Sequence, residues 1–135
     1  MSQENVELVR RGWEAASSKP PDWAVLNEVY HPDHVLESEW GGINNALYRG
    51  AAGFRESLVD QDETWEEWRP ELCELIDSGG GSVVVKARLQ TRGRHSAVPV
   101  DRVFGVLVSI RDGRIIRTRA FNTVEEALEA VGLAE

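Results

Sequence analysis

The sequence predicts an α+β domain in which helices pack against one face of a curved, largely antiparallel sheet. Three observations predict this class. Apolar and polar residues alternate from Val83 to Arg92, which is the pattern of a half-exposed antiparallel strand. The dipeptide Asp112-Gly113 separates two long strand-like runs and is a strong β-hairpin signal. The capping box from Thr123 to Glu126 then starts a helix directly after the hairpin.

Length and charge limit the classes of function. The chain has 135 residues, which suits one domain spanning residues 1–135, and its apolar and charged fractions, 41% and 28%, are ordinary for a globular protein. The formal net charge of -8 repels phosphate backbones and anionic lipids, so neither nucleic acid nor a membrane is an expected partner. No apolar run is long enough to span a bilayer, and the start Met1-Ser2-Gln3-Glu4 lacks the apolar core of a signal peptide. We therefore expect a cytoplasmic protein.

The first half of the chain predicts three helices and one short extended segment. A stripe of apolar residues predicts a helix from Ser2 to about Ala16. Asp22 starts a shorter second helix, which ends at His31-Pro32 because the residue before proline is pushed out of the helical region. The chain is then extended from Val35 to Trp40, and a third helix covers Ala51 to about Gln61.

The second half predicts an antiparallel sheet followed by a helix. The predicted strands cover Glu67 to Asp77, Val83 to Arg92, Val98 to Arg111 and Arg114 to Asn122. The strand from Val98 to Arg111 is apolar on both faces, so both of its faces should be covered. Gly132 followed by Leu133 fits a glycine cap at the end of the last helix.

Four segments, in this order and at this spacing, carry a resemblance to a known family. They are SQENVELVRRGWEAA at the start, NEVYHPDHVLES after the second helix, YRGAAGFRESL leading into the third, and IRDGRIIRTRAFNTVEEALEAVGL at the end. In these segments the chain resembles the SnoaL-like (polyketide cyclase-like) group of the nuclear transport factor 2-like superfamily, which is related to ketosteroid isomerase-like proteins. The resemblance implies a cone-shaped, strongly curved, mixed or antiparallel sheet wrapped around the N-terminal helices, a cystatin-like α+β barrel with a pocket inside the cone. It also implies a homodimer through the outer sheet face.

The catalytic groups of two enzyme types in this superfamily are missing. Steroid isomerisation needs a carboxylate base and two donors that hold an enolate oxygen. The position that matches the base carries Ser38, and the positions that match the donors carry Gly12 or Trp13 and Gly105. Limonene-type epoxide hydrolysis needs two carboxylates and an arginine, and the position of its last aspartate carries Ala120. The resemblance therefore implies neither of these activities.

Strand alternation selects candidate pocket residues. Asp101 and Leu107 share one face of their strand, and Ile116 and Thr118 share one face of the next. If both faces look inward, Asp101 is the one acid in a dry cavity, where a raised pKa would suit it to catalytic proton transfer. The alternative is a wet strand end or an ion pair with Arg92, Arg102 or Arg119. The predicted ligand-binding residues are Trp13, Tyr30, Ser38, Trp40, Phe54, Leu107, Thr118, Ala120 and Asn122.

No metal or cofactor site is predicted. His31 and His34 lie in an extended turn around Pro32, where two imidazoles three residues apart do not converge on one ion. Capping and solvation of that turn is their predicted role, and His95 is expected to be exposed. No glycine-rich loop opens a helix to cradle a phosphate. We expect a protein that works without a cofactor.

Three classes of function stay open from the sequence. The first is a cofactor-free isomerase, cyclase or lyase that acts on a flat, oxygenated organic substrate, with Asp101 as acid or base and Thr118 or Asn122 polarising an oxygen. The second is a module of the same fold that binds a small organic molecule without chemistry. The third is a structural or partner-binding domain whose pocket is filled by Trp13, Trp40 and other side chains.

Overall fold

The architecture is an open, curved six-stranded sheet with helices on both faces. It is taken from a computed structural model, which describes residues 3–18, 20–38, 46–64, 70–92 and 99–132. The elements are α1 (Gln3–Ser17), α2 (Trp23–Val29), β1 (Tyr30–Ser38), β2 (Ala46–Arg49), α3 (Gly50–Thr64), β3 (Glu71–Gly79), β4 (Ser82–Arg92), β5 (Pro99–Arg111), β6 (Arg114–Phe121) and α4 (Val124–Ala130). The strand order is β2-β1-β6-β5-β4-β3, in which β1 and β6 run parallel and all other neighbours run antiparallel. The predicted α+β class with a mixed, curved sheet is confirmed.

The inner face of the sheet is the one that packs on α1 and α2. Four alternate residues of β4 lie on this face and are at most 1% exposed, as their alternation predicts: Val83, Val85, Ala87 and Leu89. They form one apolar cluster with Val9 of α1 and Val29 of α2. Burial of this continuous apolar layer is what holds the N-terminal helices on the sheet.

Helix α4 lies on the opposite, outer face, so the expectation that the helices share one face of the sheet is wrong. It contributes Ala127 to a second apolar cluster, whose other buried members are Val84, Leu107 and Phe121. The outer side of β5 is thus covered by the chain's own last helix. The apolar character of β5 on both faces is therefore explained without a partner subunit.

Gly105 of β5 allows this close approach of α4. A Cβ at this position would lie 2.8 Å from the carbonyl oxygen of Thr123 and 2.8 Å from the Cα of Val124. Real Cβ atoms do not come this close to backbone atoms, because the contact is inside the van der Waals distance. Glycine is required here by space and not by backbone conformation.

The local signals at the end of the chain act as predicted. Asp112 and Gly113 have φ angles of 55° and 75°, which is the left-handed pair that a two-residue hairpin turn needs. The Thr123 hydroxyl accepts from the Glu126 N–H at 3.1 Å, and the Glu126 carboxylate accepts from the Thr123 N–H at 3.2 Å. The predicted hairpin and capping box are both confirmed.

The region between α2 and α3 differs from its prediction. β1 begins at Tyr30, directly after α2, so His31 and Pro32 belong to the strand and not to a turn. The short strand β2, which pairs with β1, was not predicted. α3 is longer than predicted and begins at Gly50. No helix in the described part of the chain is long and apolar enough to cross a bilayer.

Candidate functional site

An inner cavity of about 170 Å³ lies between the helices and the inner face of the sheet. Helices α1 and α3 and strands β1, β5 and β6 all contribute to its wall. Its described lining is apolar or aromatic apart from a few hydroxyl groups, and it contains no charged side chain. The residues that define its character are Trp13, Tyr30, Phe54, Phe104, Thr118 and Ala120.

A β-bulge in β6 decides which of its side chains reach the cavity. Ile116 is an extra residue between two consecutive pairs of the β5–β6 ladder. The extra residue reverses the alternation, so Ile115, Thr118 and Ala120 all line the cavity although Ile115 has the opposite parity. Thr118 and Ala120 lie where the sequence predicts, whereas Ile116, predicted beside them, is not among the described residues of the wall.

The face of β5 that lines the inner cavity is opposite to the face that the sequence predicted. Phe104, Val106 and Val108 line the cavity, so the set that contains Leu107 lies on the outer face. The prediction that Leu107 lines the pocket is therefore wrong, because this side chain is buried against α4. Alternation could not identify the inner face here, since β5 is apolar on both sides.

Asp101 lies on the outer surface, so its predicted place in a dry pocket is wrong. Its carboxylate accepts two hydrogen bonds from the Arg88 guanidinium, each 2.9 Å long, and one from Gln90 at 3.4 Å. About half of the side chain, 51%, is exposed. The hydrogen bond from Arg88 holds the pKa of Asp101 below its ordinary value. Asp101 is thus a solvated, ion-paired carboxylate and not a buried acid.

Three of the four aromatic residues that were predicted to bind a ligand lie in the wall of the inner cavity. Trp13, Tyr30 and Phe54 all line the cavity. The indole N–H of Trp13 donates to the carbonyl oxygen of Pro70 at 3.3 Å, which fixes the ring against the start of β3. Trp40 lies outside the described residues.

Two polar candidates have different outcomes. The side-chain oxygen of Asn122, just beyond β6, accepts a hydrogen bond from Arg102 at 3.2 Å, and Asn122 is not among the described residues of the cavity wall. The prediction that Asn122 lines the pocket is therefore wrong, because β6 ends before it. Only the backbone of Ser38 is described, and it pairs with Ala46 and Ala120.

His34 is the site residue that the sequence analysis missed. It is 2% exposed and does not solvate a turn, and its Nε2 lies 2.9 Å from the hydroxyl oxygen of Thr118. Burial lowers the pKa of His34 to about 4, so the imidazole is neutral at pH 7. A signal was available, because Tyr30, His34 and Leu36 fall on one face if the whole segment is treated as a strand.

An outer cavity of about 370 Å³ shares Tyr30 and Phe54 with the inner one, and His34 also lines it. The rings of Tyr30 and Phe54 stack, with centroids 5.2 Å apart and planes at 30°. His34 packs edge-on against Tyr30, with a centroid distance of 4.7 Å and an angle of 87°. We call Tyr30, His34 and Phe54 the three-ring wall: Tyr30 and Phe54 line both cavities, and His34 lines the outer one.

The polar groups of the inner cavity are neutral hydrogen-bonding groups. The buried hydroxyl of Ser57 donates to the carbonyl oxygen of Phe54 at 2.7 Å and is therefore satisfied. Burial raises the pKa of Tyr30, so its phenol stays protonated. Thr118 is held by His34. Such a wall has the chemistry to hold a neutral oxygen atom, and its described part offers no carboxylate for general base catalysis.

Solved structures of other proteins share this fold. A candidate SnoaL-like polyketide cyclase from Jannaschia sp. CCS1 is 20% identical, with a TM-score of 0.70 over 99% of this chain and 95% of that one. A candidate polyketide cyclase from Sinorhizobium meliloti is 26% identical, with a TM-score of 0.63 over 85% and 94% of the two chains. TerC, co-crystallized with polyporic acid, is 20% identical, with a TM-score of 0.73 over 96% and 98%.

The comparison of sequences gives the family. No curated protein matches the chain. The family profile described as SnoaL-like domain matches residues 9–118, a range that begins in α1 and ends in β6. Its first and last residues, Val9 and Thr118, both line the inner cavity. The chain therefore belongs to the SnoaL-like domain family.

Proposed function

We propose that the chain binds a small, largely apolar organic molecule in the inner cavity. The observation that carries the proposal is a cavity of about 170 Å³ with apolar and aromatic walls, in which the Thr118 hydroxyl is held by the buried His34. Apolar walls with a few placed polar groups are the usual composition of ligand sites. An apolar cavity of ~150 Å³ holds one benzene-sized ring. The inner cavity accordingly suits one flat ring of a ligand.

Proteins of similar fold support this proposal. TerC was co-crystallized with polyporic acid, an organic molecule. The similar proteins from Jannaschia sp. CCS1 and Sinorhizobium meliloti are described as candidate polyketide cyclases. A cavity of suitable composition in the same fold favours an organic ligand for this chain too.

We favour binding without chemistry over an isomerase, cyclase or lyase activity. Asp101, the acid that catalysis would have used, is bound to Arg88 on the outer surface. Thr118 and Tyr30 offer neutral groups that hold an oxygen but do not take a proton at neutral pH. These groups suit a carrier or sensor of an organic molecule.

Calorimetry with toluene tests the proposal, because toluene is a single ring without polar atoms. We expect wild-type protein to bind toluene with a Kd below about 1 mM. Ala120→Trp, which fills the cavity, should weaken binding at least about 10-fold, a loss of about 1.4 kcal/mol. Val103→Trp is the matched control, because Val103 is 43% exposed on the outer face. Absence of toluene binding in the wild type, or equal affinity in Ala120→Trp, would show that the inner cavity is not a site.

Native mass spectrometry of the protein after mild purification distinguishes binding from catalysis. A single retained organic ligand is expected for a carrier or sensor. A mixture of two ligands related as substrate and product would instead favour an enzyme and contradict the absence of chemistry.

The homodimer and the cytoplasmic location also stay predictions. The outer face beyond α4 carries exposed Val103 but also the Arg88–Asp101 ion pair, so a dimer interface there would be partly polar. Sedimentation at micromolar concentration is expected to give twice the chain mass of 15.1 kDa. A single species of 15.1 kDa would rule out the dimer under these conditions.

A further inference from the structure

The outer cavity has the chemistry of a second ligand chamber. Its described lining includes the three-ring wall, together with Trp23 of α2 and His31 of β1. None of the residues in this lining is a carboxylate, lysine or arginine, so the chamber suits a neutral ligand. Aromatic walls of this kind take flat rings by stacking and edge contacts.

His34 supplies an unused polar atom to this chamber. Its Nε2 is taken by Thr118, and its Nδ1 has no hydrogen-bond partner among the described residues. The side chain is 2% exposed and lines the outer cavity. Among the described residues, Ser78 Oγ is the one fully enclosed side-chain oxygen or nitrogen without a partner, so Nδ1 of His34 is not sealed off by protein atoms. A ligand oxygen in the outer cavity can therefore hydrogen-bond to Nδ1.

The other histidine of the chamber, His31, uses one of its ring nitrogens within the protein. The Nδ1 of His31 accepts a hydrogen bond from the backbone N–H of Asp33 at 2.9 Å. This bond turns Nδ1 of His31 away from a ligand role. The Nε2 of His31 also has no hydrogen-bond partner among the described residues, but 23% of this side chain is exposed, so bulk water solvates it. His34 is 2% exposed, and its Nδ1 is therefore the ring nitrogen that we assign to a ligand.

The two cavities are neighbours that share wall residues, so one ligand can extend across both. The inner cavity, of about 170 Å³, holds no more than one ring. Ligand sites for larger organic molecules have volumes of ~300–1,000 Å³. The outer cavity, of about 370 Å³, lies within this range, and Tyr30 and Phe54 line both cavities.

We propose that the outer cavity holds the oxygen-bearing end of an elongated two-ring ligand, whose apolar end occupies the inner cavity, and that the Nδ1 atom of His34 hydrogen-bonds the ligand oxygen. The proposal rests on the proposed function of the inner cavity. A phenolic hydroxyl suits either tautomer of His34, because it both donates and accepts. Phe54 must rotate away from Tyr30 for the ligand to pass, since their stacked rings close the wall. His34 is thus a specificity-determining residue for the hydroxyl group.

Three probes separate the two chambers: toluene, biphenyl and 4-hydroxybiphenyl, with affinities measured by calorimetry. Toluene needs the inner cavity alone, and the two biphenyls need both. We expect wild-type protein to bind 4-hydroxybiphenyl at least 10-fold more tightly than biphenyl. His34→Phe keeps a ring in the wall but removes the nitrogen atoms, so it should abolish this preference and leave the affinity for toluene within 3-fold.

His31→Phe is the matched control for His34→Phe. It removes the other histidine of the outer cavity, whose Nδ1 is bonded to the Asp33 N–H, so the preference for the hydroxyl should survive. Loss of the preference in His31→Phe would contradict the assignment to His34. Phe54→Ala opens the wall and should accelerate the association of 4-hydroxybiphenyl at least 10-fold in stopped-flow fluorescence. An unchanged association rate would contradict the need for Phe54 to move.

The outcomes distinguish failure of this inference from failure of the proposed function. If toluene binds but neither biphenyl does, or if the hydroxyl gives no preference in the wild type, the second chamber is wrong and the inner site stands. If none of the probes binds, the proposed function fails as well. The ¹⁵N NMR shift of the His34 ring in wild-type protein provides a measurement that needs no variant. 4-Hydroxybiphenyl should move the Nδ1 resonance, toluene should not, and an unmoved resonance would overturn the proposal.

Discussion

His34 shows how burial changes the chemistry of one residue. The folded chain removes the water that would solvate a charged imidazole, and this desolvation lowers the pKa of His34 to about 4. In the unfolded chain the same group has an ordinary pKa of about 6.5. Between these values the unfolded state binds more protons than the folded state, so the free energy of unfolding decreases as the pH falls.

The stability of the protein should therefore depend on His34 in acid. The contribution of neutral His34 is fully present above pH 6.5 and is lost as the pH falls from 6.5 towards 4. A fall from pH 7 to pH 4.5 should cost about 2–3 kcal/mol through this residue. Urea unfolding of wild type and His34→Phe at both pH values measures the difference. Equal pH dependence in the two proteins would show that His34 is not buried as a neutral ring.

Asp101 illustrates the opposite case, a carboxylate that was predicted inside and lies outside. Asp101→Asn should leave toluene and 4-hydroxybiphenyl affinities unchanged, because the side chain is on the outer face and bound to Arg88. The stability change should be small and should shrink with added salt, since the pair is exposed. Calorimetry and urea unfolding check both statements. A loss of ligand binding would place Asp101 in the site after all.

At the scale of elements, the contact between β5 and α4 is close enough to leave no space for a side chain at Gly105. Gly105 lies under the N-terminus of α4, where any side chain would meet the backbone of Thr123 and Val124. The helix cannot move away without exposing Leu107 and Ala127, which are 5% and 0% exposed. The fit of one glycine thus determines how closely the last helix covers the sheet.

Gly105→Ala should therefore destabilise the protein. The added methyl group would sit 2.8 Å from two backbone atoms, and overpacking of this kind costs ~1–3 kcal/mol. Val103→Ala is the matched control two residues away on the same face, where 43% exposure predicts a change below about 0.5 kcal/mol. Thermal and urea unfolding compare the two. A neutral Gly105→Ala would mean that α4 packs more loosely than the structure indicates.

At the scale of the whole molecule, one sheet connects two apolar clusters. The inner cluster joins the sheet to α1 and α2, and the outer cluster joins the same strands to α4. β4 and β5 contribute buried residues to both clusters, so neither cluster can be lost while the other keeps its strands. In the part of the chain that the structure describes, this arrangement favours one cooperative unit.

Unfolding should accordingly be a single transition. Tryptophan fluorescence reports on the two cavities through Trp13 and Trp23. Over a urea titration, the unfolding curve from fluorescence should coincide with the curve from far-UV circular dichroism. Ala127→Gly weakens the outer cluster. Its fluorescence and circular dichroism curves should still coincide, but at a lower urea concentration at the midpoint. Separated transitions would indicate two independent units and contradict the single domain.

The sequence by itself determined the features that arise from neighbouring residues. The alternation in β4, the Asp112-Gly113 turn and the Thr123 capping box each depend on contacts within a few positions of the chain, and all three are as predicted. Together with the order of segments they were sufficient for the fold class and the family. Local rules could not place α4, because an amphipathic helix fits either face of a sheet that is apolar on both.

The tertiary structure alone decided the composition of the site. Alternation divides β5 into two sets of residues but does not say which set faces the helices, so Asp101 and Leu107 were placed on the wrong side. The bulge at Ile116 changes the inward face within a single strand. The hydrogen bond between His34 and Thr118 joins residues 84 positions apart, and only the parallel pairing of β1 with β6 brings them together. The inner cavity and the neutral histidine bonded to its Thr118 are therefore products of long-range packing, in which burial overrides what each residue does in solution.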